Sequence, residues 1–522
     1  MKKIIILLGA LFIGVAFMAY LYFSKLGMEN NAKDLALQSA TNNAALVFSF
    51  QNDKSFYEII EAQDLIQQVL GKEKINFLKQ LREVLINDNA LNSYIKDQHI
   101  YISVLPDSNK TLNFLLTVEV QPDEDLNKFN ALIKSKKYIS EIKKDIYRLK
   151  LNDTLSTFAR IQDRVITLST SIKLINDAAI RLNENPFSEY IKENNGLNKN
   201  VLAHIYINFN QAPLLLRNIL ASNINGGISC LNKQNSFAAL NYNFSKEKIL
   251  FNGSTTLKNN DNYLKLFESS IAQNTTIQNI LPDNTANYVI YAYDDYESWF
   301  KKFSSLQEST KELERAKTVI NTIKNEYRTD LNSIFPLQTK NQFTIFQLST
   351  AEKLGAIQLV NGEKVKQLLF DVSADYNEEI KLFKSSNILQ SYFGEPFKNF
   401  SRPYYTIIDN FLVVANNAST VQSFLNSYRN NKLLIQTPEY LDALNQISNT
   451  SNISYYINLK KSQDIFRSNV LLKYYKHLRA DSGLRNFDTF LYQMISDKNK
   501  FITNLLLNKY LKSEIPDSLG NR

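Results

Sequence analysis

Apolar residues in this chain follow two rhythms and form one unbroken block. Leu112, Phe114, Leu116, Val118 and Val120 alternate with Asn113, Leu115, Thr117 and Glu119. A period of two sends alternate side chains to one face of a strand, so the spacing predicts a β-strand with one face on a core. The run from Ile100 to Leu105 predicts its partner, joined to it through Pro106 to Lys110. Phe56, Ile59, Ile60, Leu65, Ile66, Val69 and Leu70 recur instead at helical spacing, as do Leu313, Ala316, Val319, Ile320, Ile323 and Tyr327. Ser309 followed by Glu312 fits a capping box opening the latter helix. The block is Ile4 to Phe23, 20 residues without a charge behind Lys2 and Lys3. At about 1.5 Å of rise per residue it matches the roughly 30 Å of a bilayer's hydrocarbon core, which predicts a transmembrane helix. The preceding lysines set the N-terminus in the cytoplasm and the body outside. A cleaved signal peptide would carry a shorter apolar region; here Tyr20 to Phe23 continue past the small residues Ala16 and Ala19, which favours a retained anchor.

The chain also repeats itself. Ala44 to Phe50 followed by Phe56-Tyr57 matches Asn287 to Tyr293 followed by Trp299-Phe300, 243 residues on. Ile161 to Leu168 matches Ile407 to Val414 at 246, with Asp163 and Asp409 where a hairpin turn would want them. Tyr206-Ile207-Asn208 with Arg217 matches Tyr456-Ile457-Asn458 with Arg467 at 250. Phe237 and Tyr242 match Phe487 and Tyr492, also at 250. Ordered matches at nearly constant offset predict a duplicated body. The expected fold class is α+β: two tandem homologous units of antiparallel sheet with covering helices, preceded by one transmembrane helix. The expected order is a cytoplasmic end at 1–3, the anchor at 4–23, a juxtamembrane linker at 24–40 and a first unit at 41–265. A joint at 266–281, a second unit at 282–512 and a tail at 513–522 follow.

Composition narrows the setting. At 44% hydrophobic and 12% aromatic residues, the 522-residue chain has the stock for packed cores and is not disordered as a whole. Its net charge of +9 comes from Lys and Arg spread throughout, with no basic block of the kind that binds nucleic acid. With Cys230 the only cysteine, no intramolecular disulfide and no thiolate zinc site can form. A disulfide-free exported body rich in Lys, Asn and Ile points to a bacterial inner-membrane protein facing the periplasm.

No catalytic chemistry is legible. His99, His204 and His477 each stand alone in sequence, and His99 and His204 read as strand-end residues rather than metal ligands. Asp123, Asp125 and Asn127 resemble the start of a calcium loop, but Lys128 stands where the loop needs Gly and Lys134 where it needs Glu. Gly226-Gly227 lacks the flanking spacing of a phosphate loop and reads as a plain loop. Asp294, Asp295 and Glu297 form the densest acidic cluster near aromatic residues; capping of the following helix explains them without catalysis, and Asn52 and Asp53 fill the matching place. No catalytic, cofactor-binding or metal residue is therefore assigned, and no cofactor is expected.

Leu281-Pro282-Asp283-Asn284-Thr285 opening a unit, the strand Leu412-Val413-Val414-Ala415 and the Tyr-Ile-Asn strand resemble an uncharacterised family of bacterial N-terminally anchored envelope proteins, a domain of unknown function. The first unit departs from the pattern, with Ala40-Thr41-Asn42-Asn43 in place of the Pro-containing opener. The resemblance supplies no catalytic residues. The expected function is a membrane-anchored periplasmic binding or scaffold protein, non-enzymatic, whose partners are the membrane through residues 4–23 and an envelope protein. The alternatives are a carrier or sensor of an apolar ligand, and an unrecognised cell-wall hydrolase acting through Asp294 and Asp295.

Overall fold

The computed structural model describes residues 34–61, 63–106, 111–153, 155–177, 185–195, 201–221, 235–243, 245, 248–481 and 483–510. The first half contains β1 (Leu46–Gln51), β2 (His99–Pro106), β3 (Leu112–Glu119), β4 (Ile139–Lys143), β5 (Ile146–Lys150), β6 (Ser156–Gln162), β7 (Val165–Ser169), β8 (Ala203–Asn208), β9 (Ser236–Asn243) and β10 (Lys248–Leu257). A two-residue strand β11 (Gln273–Asn274) follows. The second half contains β12 (Thr285–Ala292), β13 (Thr339–Leu348), β14 (Lys353–Leu359), β15 (Ser373–Asp375), β16 (Lys381–Phe383), β17 (Tyr404–Ile408), β18 (Phe411–Ala415), β19 (Thr450–Ser451), β20 (Ile453–Asn458), β21 (Thr489–Asp497) and β22 (Lys500–Asn508).

In the first half the order across the sheet is β4-β5-β6-β7-β3-β2-β1-β8-β9-β10, all antiparallel. In the second half it is β15-β16-β17-β18-β14-β13-β12-β20-β21-β22, the same scheme strand for strand. Strands β10 and β22 then pair antiparallel over eight residues, with Asn252 opposite Asn504. One 20-stranded sheet results, and β11 pairs with β19 outside it.

This corrects the expected fold class. The antiparallel strands do not form separate sheets in two tandem units but a single sheet, because β10 and β22 would each be an unpaired edge and each satisfies the other's N–H and C=O groups. Alternation within a strand carries no information about which edge meets which. The expected transmembrane helix at 4–23 lies outside the described residues; among the described residues no helix is long and apolar enough to cross a membrane.

The join is reciprocal. Ala221 N–H donates to the Asn469 carbonyl and Leu471 N–H to the Ile219 carbonyl, each at 2.9 Å, on either side of a bridge between Leu220 and Val470. Together with the Asn252–Asn504 pair this is the geometry of a two-fold interface, made within one chain.

Both faces of the sheet are covered. In the first half, Phe50, Phe129, Tyr147 and Leu240 pack on one face with the helices Lys54–Glu61, Asp64–Leu70, Lys72–Leu85 and Leu126–Ser135. Val47, Tyr101, Tyr206 and Phe237 pack on the other with Leu35–Thr41 and Pro186–Asn195. In the second half, Tyr291, Trp299, Phe343 and Phe393 form one core, and Tyr288, Phe346, Phe424 and Tyr456 the other. Residues 266–281, read as a joint, lie against the second half: Phe267 belongs to its first core, and Ile277 and Ile280 to its second.

The expected hairpins are present. Two-residue loops, Asp163-Arg164 and Asp409-Asn410, join β6 to β7 and β17 to β18, with Asp163 at φ 54° and Asp409 at φ 50°. Mirror-type turns need that left-handed backbone, which Asp tolerates and β-branched residues do not. Asp163→Val is expected to lower stability by about 1–2 kcal/mol while Asp163→Gly leaves it nearly unchanged, as thermal unfolding would read. The expected capping box fails: Ser309 ends the helix Tyr296–Ser309, its hydroxyl donating to the Leu306 carbonyl, and Glu312 precedes Leu313–Tyr327 without a side-chain capping bond.

Candidate functional site

Strand β17 is unequally covered on its two edges. All five of its residues pair with β18, whereas β16 reaches only Tyr404 and Tyr405, through Leu382 and Lys381. A two-residue hairpin makes Ile408 and Phe411 a hydrogen-bonded pair, so Tyr404, Thr406 and Ile408 turn their backbone groups toward β18. Tyr405 and Ile407 turn theirs outward. Tyr405 meets Lys381; Ile407 has no strand partner on that side among the described residues. In the first half the matching position is closed, since β5 runs along β6 as far as Arg160 and the Asp145 carbonyl accepts from the Ile161 N–H at 3.0 Å.

A cleft of about 90 Å³ lies at this open edge, with Tyr405, Thr406, Ile407 and Ile408 as its floor. Lys366 enters from the helix Gly362–Leu368 and Arg429 from the helix Ala418–Arg429. Glu378, Glu379 and Lys381, around the turn between β15 and β16, close one end. Arg429 donates to Glu379, and this bond, with the nearby charge of Lys366, holds the Glu379 carboxyl below the usual carboxylate range. Lys381 is tied to Asp375 and stands 5.4 Å from the centre of the Phe370 ring. Lys366 makes no ion pair among the described residues. Beneath the floor, Tyr405 shares a buried hydrogen bond of 2.6 Å with Ser373, and burial pushes its phenol up to about 12.

Such a site can recognise charge and backbone, but it holds no nucleophile set beside a base. Residues 341–473 match a family described as a protein of unknown function (DUF3352). Every residue lining the cleft falls in that DUF3352 segment. No curated protein matches the chain, and no solved structure does.

The residues singled out from sequence lie elsewhere. His99 opens β2 opposite Gln51. His204 stands in β8 with its Nδ1 2.9 Å from the Asn241 side-chain oxygen, and burial lowers its pKa below the ordinary value despite that bond. The Nε2 of His477 lies 2.9 Å from the Val69 carbonyl, which ties the helix Leu472–Arg479 of the second half to the first. Asp125 caps the helix Leu126–Ser135, and Asp295 caps Tyr296–Ser309 by accepting from the Ser298 N–H at 2.8 Å. Asp53 accepts from the Phe56 N–H at 2.9 Å in the matching place. Gly226, Gly227 and Cys230 lie outside the described residues. Among the described residues there is no group of three His, Cys, Asp or Glu placed to hold a metal ion. The first half holds an apolar cavity of about 30 Å³ lined by residues including Phe129, Tyr147 and Ile161, room for one or two waters.

Sequence reasoning missed Lys366, Glu379 and Arg429. A signal existed in the lengths of the outer hairpins. Strands β4 and β5 have five residues each, whereas β15 and β16 have three, and β5 reaches Arg160, the position matching Thr406, where β16 stops at Tyr405.

Proposed function

We propose that this chain is a non-enzymatic binding or scaffold protein of the bacterial cell envelope, with the β17 cleft as its contact surface. The observation that carries the reading is the convergence of an open strand edge with Lys366 and Arg429, in a cleft without a nucleophile–base pair. The body's place outside the cytoplasm rests on the uncharged run at 4–23 behind Lys2 and Lys3; a reporter fused after Arg522 and active only in the cytosol would remove it. The equal strand order of the two halves and their reciprocal contacts support an origin by duplication of one ten-strand unit.

The test is a photo-crosslinking residue at the exposed position Gln367 in intact cells. A single envelope partner is expected, its capture lost when Lys366→Glu and Arg429→Glu are introduced together. Recovery of no specific partner, from Gln367 or from other exposed positions on the body, counts against the reading.

A further inference from the structure

We infer that the outer edge of β17 accepts an extended segment of a partner polypeptide as an added strand, and that two adjacent carboxylates on that segment meet Lys366 and Arg429. The inference rests on the binding reading above and names the partner's chemistry.

The backbone argument starts from Ile407. Its outward N–H and C=O point where β16 would lie if it were two residues longer. A guest strand in line with β16, antiparallel to β17, would engage both groups, as strand addition to a sheet edge does in general. The first half shows what an occupied edge looks like, since there the Asp145 carbonyl already takes the Ile161 N–H. Only the second half is open.

The side-chain argument follows from the pleat. Ile407 packs toward the core that contains Val365 of the helix Gly362–Leu368, the helix that carries Lys366. Ile408 packs toward the opposite core, which contains Val421 and Phe424 of the helix ending in Arg429. Residues facing each other across a ladder share a face, and successive residues alternate. A guest side chain opposite Ile407 therefore rises on the Lys366 side, and the next one falls on the Arg429 side. Lys366 makes no salt bridge among the described residues, although its charge acts on Glu379, and Arg429 is engaged by Glu379, whose side chain is 43% exposed on a surface turn. A guest carboxylate can take the place of Glu379 without breaking any buried contact. Because only one residue of β17 offers both backbone groups, the two charge contacts must supply much of the selectivity, so an uncharged strand should bind weakly.

The test uses the full chain and a synthetic peptide, acetyl-Thr-Val-Thr-Glu-Glu-Val-Thr-Val-amide, with binding read by titration calorimetry. Replacing Glu-Glu with Gln-Gln is expected to weaken binding by about tenfold or more, as are Lys366→Gln and Arg429→Gln in the protein. Methylating alternate backbone nitrogens of the peptide is expected to abolish binding in one register and spare it in the other, because alternate N–H groups face β17. Ile407→Pro, which removes the outward donor at an edge where proline is tolerated, is expected to lose binding while its circular dichroism stays unchanged. Equal binding of both methylated registers, equal binding of the Gln-Gln peptide, or no binding of the Glu-Glu peptide at millimolar concentration would overturn the inference. A partner captured in cells from Gln367, together with a peptide that fails to bind, leaves the cleft reading standing and removes this one.

Discussion

Trp299→Ala is expected to lower the free energy of unfolding by about 3–5 kcal/mol, the range for emptying a large aromatic site in a packed core. Trp299 is fully buried. Its ring stacks at 5.2 Å on Tyr293 and 5.3 Å on Phe303, with Phe343 at 5.8 Å and Phe267 at 5.9 Å. These neighbours come from the end of β12, its own helix Tyr296–Ser309, β13 and the segment Tyr263–Phe267, so the indole joins four pieces of chain. Deleting it leaves a void that backbone elements on several sides would have to close. Its Nε1–H has no hydrogen-bond partner among the described residues, so Trp299→Phe loses volume but no bond, and a cost below about 1.5 kcal/mol is expected. Urea unfolding followed by far-ultraviolet circular dichroism distinguishes the two variants, since the only tryptophan is the residue removed. A Trp299→Ala shift of less than about 1 kcal/mol would contradict the packing described.

What could be read from the sequence was local. The strands β2 and β3 follow their alternation, and the loops at Asp163 and Asp409 follow from residue types that accept positive φ. The hairpin match at 246 pairs residues at equivalent ladder positions, because the turn fixes the register: Leu168 faces β3 as Val414 faces β14. Elsewhere the ladders give other offsets. Val47 lies opposite Tyr206 and Tyr288 opposite Tyr456, so if the Tyr-Ile-Asn strands correspond, Val47 corresponds to Tyr288 and the offset is 241 rather than 243. By the same ladders Asn241 corresponds to Gln493, an offset of 252 rather than 250. Slips of two keep every side chain on its proper face, so hydrophobicity alone cannot detect them. The join of the halves was also out of reach of pattern matching, although it left a trace. Ile249-Leu250-Phe251 and Leu505-Leu506-Leu507 are apolar at every position, as strands covered on both faces must be, and the structure places both runs centrally. The cleft was invisible for a different reason: it depends on where β16 stops, a difference of two residues in a strand of three.

That central seam is where one added methyl group should have its largest effect. Gly253 lies in β10 between Leu240 of β9 and Thr503 of β22. A Cβ at this position would stand 2.0 Å from the Ala239 carbonyl oxygen and 2.8 Å from the Leu240 Cα. Both obstacles are backbone atoms, so no rotamer change can relieve the clash. Strand β10 is paired over eight residues with β9 on one edge and over eight, mostly the same ones, with β22 on the other, and either ladder must shift to admit the methyl. Gly253→Ala is therefore expected to cost at least the roughly 1–3 kcal/mol of core overpacking. Since the β10–β22 ladder couples the halves, the same change is expected to split one calorimetric unfolding transition into two. Thr503→Ala is the control: it loses the 2.8 Å hydroxyl contact with Thr255 but leaves the ladder in place, so a cost near 1 kcal/mol without splitting is expected. If Gly253→Ala unfolds in one transition at the midpoint of the parent protein, the close approach of β9 and β10 is not rigid, and the seam does not bind the halves as one body.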